Sequence, residues 1–299
     1  MAFARTSQEV VGVGRIDYLE FGSPDGVPAF YFHGTPSSAS EAFWMQVHAA
    51  DHGVRLIAID RQGYLRSAVL GDLDAVGKAY SGLADDLGLD RFAVIGFSGG
   101  TNTALAVAAE CNDRLTVAHI GGGLTSVEAL RGAGMGPARR VMFAAMSSSP
   151  WLARRLVGVQ GRTVGKRLRN RLPSPTYAIL QLLTGSAAGS QLPALEEFVR
   201  RSDPADLASV VEGFIEGSAG PNGALRDIAS LRTPPDATGV RAPVELWHGT
   251  ADNAVPIGAA RYLASLLPNA TLHELEGEGH FVFLSHGPEV CASIAAAAT

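Results

Sequence analysis

The sequence predicts an α/β fold: a doubly wound, mostly parallel sheet of eight strands with helices on both faces, interrupted by a helical insertion. Two observations predict the sheet and a third the insertion. Short runs such as Val27–Phe32, Val54–Ile59 and Phe92–Phe97 are dense in apolar, aromatic and β-branched residues, as strands buried on both faces must be. Between them lie stretches whose apolar residues recur at helical spacing, and this alternation is the pattern of a parallel sheet closed by crossover helices. From about residue 124 to 238 no such strand occurs, while Pro173, Pro175, Pro193, Pro204, Pro221, Pro234 and Pro235 interrupt the segment repeatedly. The expected organisation is a core domain of residues 1–123 and 239–299 with a helical cap over residues 124–238.

Taken in order, Gln8–Gly14 and Arg15–Phe21 read as a pair of strands, followed by Gly22, Ser23, Pro24, Asp25 and Gly26, the residue types of a tight turn. The third strand, Val27–Phe32, runs into His33, Gly34, Thr35 and Pro36, and Ser37–Ala50 has helical character. The fourth, Val54–Ile59, ends in Asp60, Arg61, Gln62, Gly63 and Tyr64. A looser polar segment reaches about Gly77, and a helix over Ala79–Gly88 leads to the fifth strand, Phe92–Phe97, and to Ser98. The helix Thr101–Glu110 and the strand Leu115–Ile120 come next. Beyond the insertion, Ala242–Trp247 and Ala270–Leu275 complete the sheet, and a helix runs from about Pro288 to Ala297.

An apolar content of 46% over 299 residues supplies a substantial core and excludes global disorder. A net charge of −5 gives no support to nucleic acid as a partner. Cys111 and Cys291 lie far apart with no metal-ligand spacing around them, so buried, reduced thiols are expected, with no disulfide framework, metal or cofactor. The first residues lack the apolar run of a secretory signal, and no stretch of about 18 uninterrupted apolar residues occurs. The expectation is a cytoplasmic protein with no stable membrane insertion. Charge is nonetheless uneven: between Glu128 and Glu196 there is no acidic residue, against Arg131, Arg139, Arg140, Arg154, Arg155, Arg162, Lys166, Arg167, Arg169 and Arg171. A basic cap neutralised by packing on an acidic core is the expected arrangement, and attraction of an anionic substrate or a membrane surface is the alternative.

Chemistry concentrates at Gly96-Phe97-Ser98-Gly99-Gly100. A serine on a sharp strand-to-helix bend is held in strained backbone geometry with its hydroxyl exposed, and small residues two positions to either side let strand and helix pass close together. Serine is a poor nucleophile unaided; it needs a base within hydrogen-bond reach and an acid to orient that base. His280, in the Gly-rich turn Gly277-Glu278-Gly279-His280-Phe281, and Asp252, in the loop that begins Trp247-His248-Gly249, supply both in the chain order serine, acid, histidine.

With these residues in place the chain resembles the α/β-hydrolase fold superfamily, in its cap-bearing branch of serine esterases and lipases. The loops at His33–Pro36, Asp60–Tyr64, Gly96–Gly100, Trp247–Pro256 and Gly277–Phe281 carry the likeness, each after an expected strand. The resemblance implies Ser98 as nucleophile, His280 as base and Asp252 as its orienting acid. It also implies an oxyanion hole made by the backbone N–H groups of Gly99 and Thr35, since Pro36 has none to offer. His33 is expected to brace backbone. Loops like Asp60–Ser67 commonly carry a second glycine where this chain has Leu65. Serine at the elbow, where epoxide- and halide-processing relatives use aspartate, implies acyl chemistry on a small-molecule ester or thioester. The alternatives are a cofactor-free lyase, cyclase or acyltransferase on the same scaffold, and a non-catalytic ligand-binding homologue. Phe97 beside the nucleophile, with Met142, Phe143, Trp151 and Tyr177 of the insertion, are the candidate substrate-lining residues, joined by Met146 and Leu180.

Overall fold

The computed structural model describes residues 3–132, 141, 145, 148–170, 174–183 and 186–298, the side chains of 131, 132, 160, 177, 181 and 182 excepted. Its strands are β1 (Thr6–Val10), β2 (Gly14–Gly22), β3 (Val27–Phe32), β4 (Val54–Ile59), β5 (Phe92–Phe97), β6 (Leu115–Gly121), β7 (Val244–Gly249) and β8 (Ala270–Leu275). They form one sheet in the order β1-β2-β4-β3-β5-β6-β7-β8. β2 runs antiparallel to β1 and β4, and every other pairing is parallel. The eight mostly parallel strands expected from the apolar runs are therefore present. The first hairpin turns earlier than its apolar residues suggest, because Gly12 (φ 74°) and Gly14 (φ 100°) take the left-handed backbone of the turn.

Successive residues of each strand serve opposite cores, the consequence of the two-residue pleat. In β3, Ala29 and Tyr31 join one core and Phe30 and Phe32 the other; in β5, Ala93, Ile95 and Phe97 oppose Phe92 and Val94. One core is closed by the 3-10 helix Ala39–Met45, the helix Val282–Ala297 and helices that follow β6. The other is closed by Leu73–Asp86, Thr101–Glu110 and Gly258–Leu266.

Two helices begin earlier than their sequence suggests. Leu73–Asp86 starts within the segment read as loose, capped by Asp72, whose carboxylate accepts from the Ala75 N–H at 3.0 Å. Gly77 does not end it: a Cβ there would stand 2.8 Å from the Ala106 carbonyl oxygen, so this glycine lets two helices meet. Val282–Ala297 likewise starts before Pro288, which lies inside it. Cys111 and Cys291 are both free and buried.

Between β6 and β7 the described residues form helices and no strand: Val127–Gly132, Pro150–Arg169, Pro175–Leu183, Gln191–Arg201, Pro204–Ala219 and Pro221–Ser230. Four of these start at a proline, where the missing N–H costs nothing and the fixed φ suits the first turn. The expected neutralisation of the basic segment fails for Arg154, Arg155, Arg162, Lys166, Arg167 and Arg169. All six are exposed, and no carboxylate among the described residues pairs with them. The helix that carries them packs inward through Ala153, Gly161, Gly165 and Leu168 and leaves its long cations facing out. No helix among the described residues is long and apolar enough to cross a membrane.

Candidate active site

β5 ends at Phe97 and the chain bends at Ser98, whose φ of 50° is left-handed, before the short 3-10 turn Ser98–Gly100 and the helix Thr101–Glu110. Holding a serine there costs about 1–3 kcal/mol, and the packed strand and helix on either side impose it. Gly96 and Gly100 make the bend sterically possible. A Cβ at Gly96 would lie 2.7 Å from that of Ala104, and one at Gly100 would lie 2.1 Å from the Phe32 carbonyl oxygen.

The structure brings Ser98, His280 and Asp252 into one hydrogen-bonded chain. Ser98 Oγ lies 3.0 Å from His280 Nε2, and His280 Nδ1 lies 2.7 Å from Asp252 Oδ2. The carboxylate only accepts, so Nδ1 carries the proton and Nε2 is left to accept from the serine. Asp252 Oδ1 accepts from the backbone N–H groups of Ala254 (2.7 Å) and Val255 (2.9 Å). His248, absent from the sequence-based set of site residues, places Nε2 3.3 Å from Asp252 Oδ2 and donates to the Val255 carbonyl at 2.7 Å. Burial pushes the Asp252 pKa up, but hydrogen bonds from His248 and His280 outweigh it and hold the carboxyl well below the usual range. The His280 ring is steadied by Phe97, 5.0 Å away between centroids, and its backbone N–H donates to the Ser186 carbonyl at 2.7 Å.

Thr35 and Gly99 meet beside the serine. A Cβ on Gly99 would stand 3.3 Å from Thr35 N and collide with the Thr35 side chain. Among the described residues nothing accepts from the Thr35 N–H, which leaves it available. The loop that presents it is anchored on three sides. His33 donates from Nδ1 to the Gly34 carbonyl at 2.8 Å and accepts from the Arg61 N–H at 3.2 Å, so it braces backbone as expected. Burial, reinforced by Arg61, pushes its pKa well below the usual value and keeps it neutral. Glu41, buried, accepts at Oε1 from the Gly34 N–H and the Tyr31 hydroxyl, both at 2.9 Å. Its burial raises the carboxyl pKa to about 7 against the opposing hydrogen bonds.

The third anchor comes from the far side of the sequence. Asp227, on the helix Pro221–Ser230, accepts from Arg61 Nη1 (2.5 Å), Arg61 Nη2 (2.9 Å), the Tyr64 hydroxyl (2.6 Å) and the Thr35 hydroxyl. Arg61 also donates to the Gly34 carbonyl at 3.1 Å. Neither Glu41 nor Asp227 belongs to a motif, and nothing local in the sequence signals them. Leu65, by contrast, has a local reading: its φ of 46° lies in the left-handed region that glycine favours, so leucine bears the backbone strain there.

A cavity of about 30 Å³ lies beside this loop, walled by Glu41, Trp44 and Phe281 from the core and by Ile179, Leu183, Phe198 and Phe214 from the helical segment. Phe97 is not one of its walls; it packs behind them, edge-on to Trp44 at 5.5 Å and stacked on Phe281 at 5.8 Å. Trp151 is 70% exposed on the outer surface and is likewise not a wall. Met142, Phe143 and Met146 lie outside the described residues, as does the Tyr177 side chain; Ile179 and Leu183 of the same helix reach the cavity.

The eight-stranded sheet, the bend at Ser98 and the acid and histidine loops after β7 and β8 are those of one class. The chain belongs to the alpha/beta hydrolase family, which it matches over residues 30–294. It is 26% identical to the non-heme chloroperoxidase of Streptomyces lividans, over 92% of each chain. It is also 51% identical over 53 residues to a pimeloyl-[acyl-carrier protein] methyl ester esterase of Aromatoleum aromaticum, a match that spans 18% of this chain and 21% of that protein. Among solved structures it is similar to an alpha/beta hydrolase fold protein from Nakamurella multipartita, with a TM-score of 0.70 at 20% identity over 99% of this chain and 100% of that one. A thermophilic esterase from Thermogutta terrifontis aligns with a TM-score of 0.59 at 17% identity, over 97% and 96% of the two chains. These two structures share its fold.

Proposed function

We propose that this protein is a serine hydrolase that cleaves a carboxylic ester or thioester through an acyl-enzyme, with Ser98, His280 and Asp252 as its catalytic residues. The observation that carries the reading is the hydrogen-bonded chain from Ser98 Oγ through His280 to Asp252, 3.0 and 2.7 Å, standing next to two backbone donors. Ser98 Oγ attacks the acyl carbon as its proton passes to His280 Nε2, and the carbonyl oxygen takes up negative charge against the N–H groups of Thr35 and Gly99. Collapse breaks the acyl–oxygen or acyl–sulfur bond, and His280 returns the proton to the departing alcohol or thiol. Water, deprotonated by the same imidazole, then releases the acid and regenerates Ser98. Asp252 holds the imidazole in the working tautomer throughout.

Residues 124–238 act in this reading as a cap on the core of residues 1–123 and 239–299, and the small apolar cavity between them receives a short acyl group. About 30 Å³ of space accommodates a group of roughly one or two water volumes. Small-molecule esters with short acyl chains are the substrates this favours, with no metal or cofactor in the reaction and a cytoplasmic site of action. A second reading, transfer of the acyl group to hydrogen peroxide instead of water, draws on the likeness to a protein named as a non-heme chloroperoxidase, an activity that uses peroxide. Turnover in 18O-labelled water separates the two, since only hydrolysis places solvent oxygen in the acid. The test of the first reading is Ser98→Ala, expected to abolish both turnover of p-nitrophenyl acetate and labelling by a fluorophosphonate. Labelling of that variant at the wild-type rate refutes it.

A further inference from the structure

We propose that the outward face of the helix Pro150–Arg169 is a docking surface for the anionic headgroups of a lipid bilayer, on which the protein rests without crossing it. The helix turns Ala153, Gly161, Gly165 and Leu168 inward and packs on Pro204–Ala219. Its outward residues fall into two stripes at helical spacing. Trp151, Arg155, Arg162, Lys166 and Arg169 form one; Leu152, Leu156, Val159 and Thr163 form the next, with Arg167 on its far side. The apolar members lie exposed on one face, 70% for Trp151, 40% for Leu156 and 49% for Val159. The Arg155 guanidinium stands over the Trp151 ring at 5.9 Å. No acid lies within the segment, and none elsewhere among the described residues pairs with these cations.

Both stripes together point to lipid. A duplex nucleic acid, its bases already stacked, or an acidic protein draws on the cations but gains little from the exposed Leu156 and Val159 beside them. An anionic substrate held in the cavity described above needs cations facing that cavity, and no residue of this helix lines it. A bilayer surface takes both, the headgroup phosphates meeting arginine and lysine while the apolar stripe enters the boundary below them. The whole chain carries −5, so the attraction is local. The acidic remainder is repelled by the same surface, which orients the molecule with this helix downward.

The inference concerns binding and stands apart from the proposed chemistry, so its test needs no turnover. The full chain is sedimented with vesicles of phosphatidylcholine alone and of phosphatidylcholine with phosphatidylserine, at about 0.1 M salt, where surface charge still acts over about 10 Å. Binding is expected only to the anionic vesicles, with a blue shift of tryptophan emission that Trp151→Phe removes, because Trp44 and Trp247 are already buried. Each cation near such a surface contributes about fivefold to the partition coefficient. The combined variant Arg155→Gln, Arg162→Gln, Lys166→Gln, Arg169→Gln is therefore expected to lose at least about a hundredfold while its thermal midpoint stays that of wild type. Absence of binding to anionic vesicles overturns the proposal, as does equal binding to neutral ones. Binding without the blue shift, or tighter binding to duplex DNA or polyglutamate than to vesicles, also overturns it in favour of a polyanion.

Discussion

Asp227 gathers four hydrogen bonds from three residues around the loop that carries Thr35, and removing it tests whether that cluster ties the helical segment to the site. Its main partner, Arg61, is wholly buried, whereas Asp227 itself retains 12% side-chain exposure. Truncation by Asp227→Ala leaves a buried guanidinium without its counter-charge, a loss of about 3–5 kcal/mol for pairs of this kind. Tyr64 and Thr35 also lose an acceptor, at about 1 kcal/mol or more each, offset in part by water entering from the exposed side. A net destabilisation of about 4 kcal/mol is expected, measured by urea unfolding at neutral pH. If the cost is that of an abandoned charge, removing the charge as well restores stability. The pair Arg61→Met with Asp227→Leu should then cost about 3 kcal/mol less than the sum of the two single changes. Thr35→Val isolates the catalytic consequence, since it cuts the side-chain tether and keeps the backbone donor. One oxyanion donor is worth about 3–4 kcal/mol, so on the proposed role of the Thr35 N–H, loosening it should lower kcat about tenfold and leave KM near its wild-type value. A loss below about 1 kcal/mol for Asp227→Ala, or additivity of the pair, refutes this account of the cluster.

Glu41 makes the fold pH-sensitive. Its carboxyl is raised from 4.5 to about 7 in the folded protein, so the stability it confers is complete below about pH 4.5 and lost as the pH rises through about 7. The difference is about 3 kcal/mol, and Glu41→Gln, which keeps an acceptor for Gly34 and Tyr31, should flatten that part of the stability profile in denaturant titrations from pH 4 to 8. An unchanged profile would mean the carboxyl ionises freely. At Leu65, replacement by glycine should stay within about 1 kcal/mol of wild type while Leu65→Val loses about 1–2 kcal/mol, because a β-branched side chain tolerates a positive φ least. Equal thermal midpoints for the two variants would remove the strain argument. Phe198 and Trp44 separate the small cavity from a groove of about 430 Å³ on the surface. Phe198→Ala should join the two and move the preferred p-nitrophenyl ester from acetate toward longer acyl chains; an unaltered preference would place the acyl group elsewhere.

What the sequence makes legible is what depends on neighbours along the chain. Buried strands show as unbroken apolar runs, and the bend at Ser98 shows because its glycines at positions 96 and 100 answer a local steric demand that the structure makes explicit. Residues whose meaning is tertiary leave no such trace. Gly77 and Pro288 read as breaks, yet one is a contact point between helices and the other is carried inside a helix. Asp227 meets Arg61 across 166 positions, and only the packed helix Pro221–Ser230 brings them together. The basic segment shows the same division most sharply. Its charge is visible residue by residue, but which side of Pro150–Arg169 faces inward is decided by what its partner helix can accept. Along most of its length the inward side is made of small residues, Ala153, Gly161 and Gly165, so the helix docks closely by its backbone there, with Val164 and Leu168 supplying its larger apolar contacts near the C-terminal end. Leu156, Val159 and Trp151 are thereby left outside among the arginines. Packing among the described residues gives no reason for them to be there, and an external apolar boundary with negative charge above it gives one.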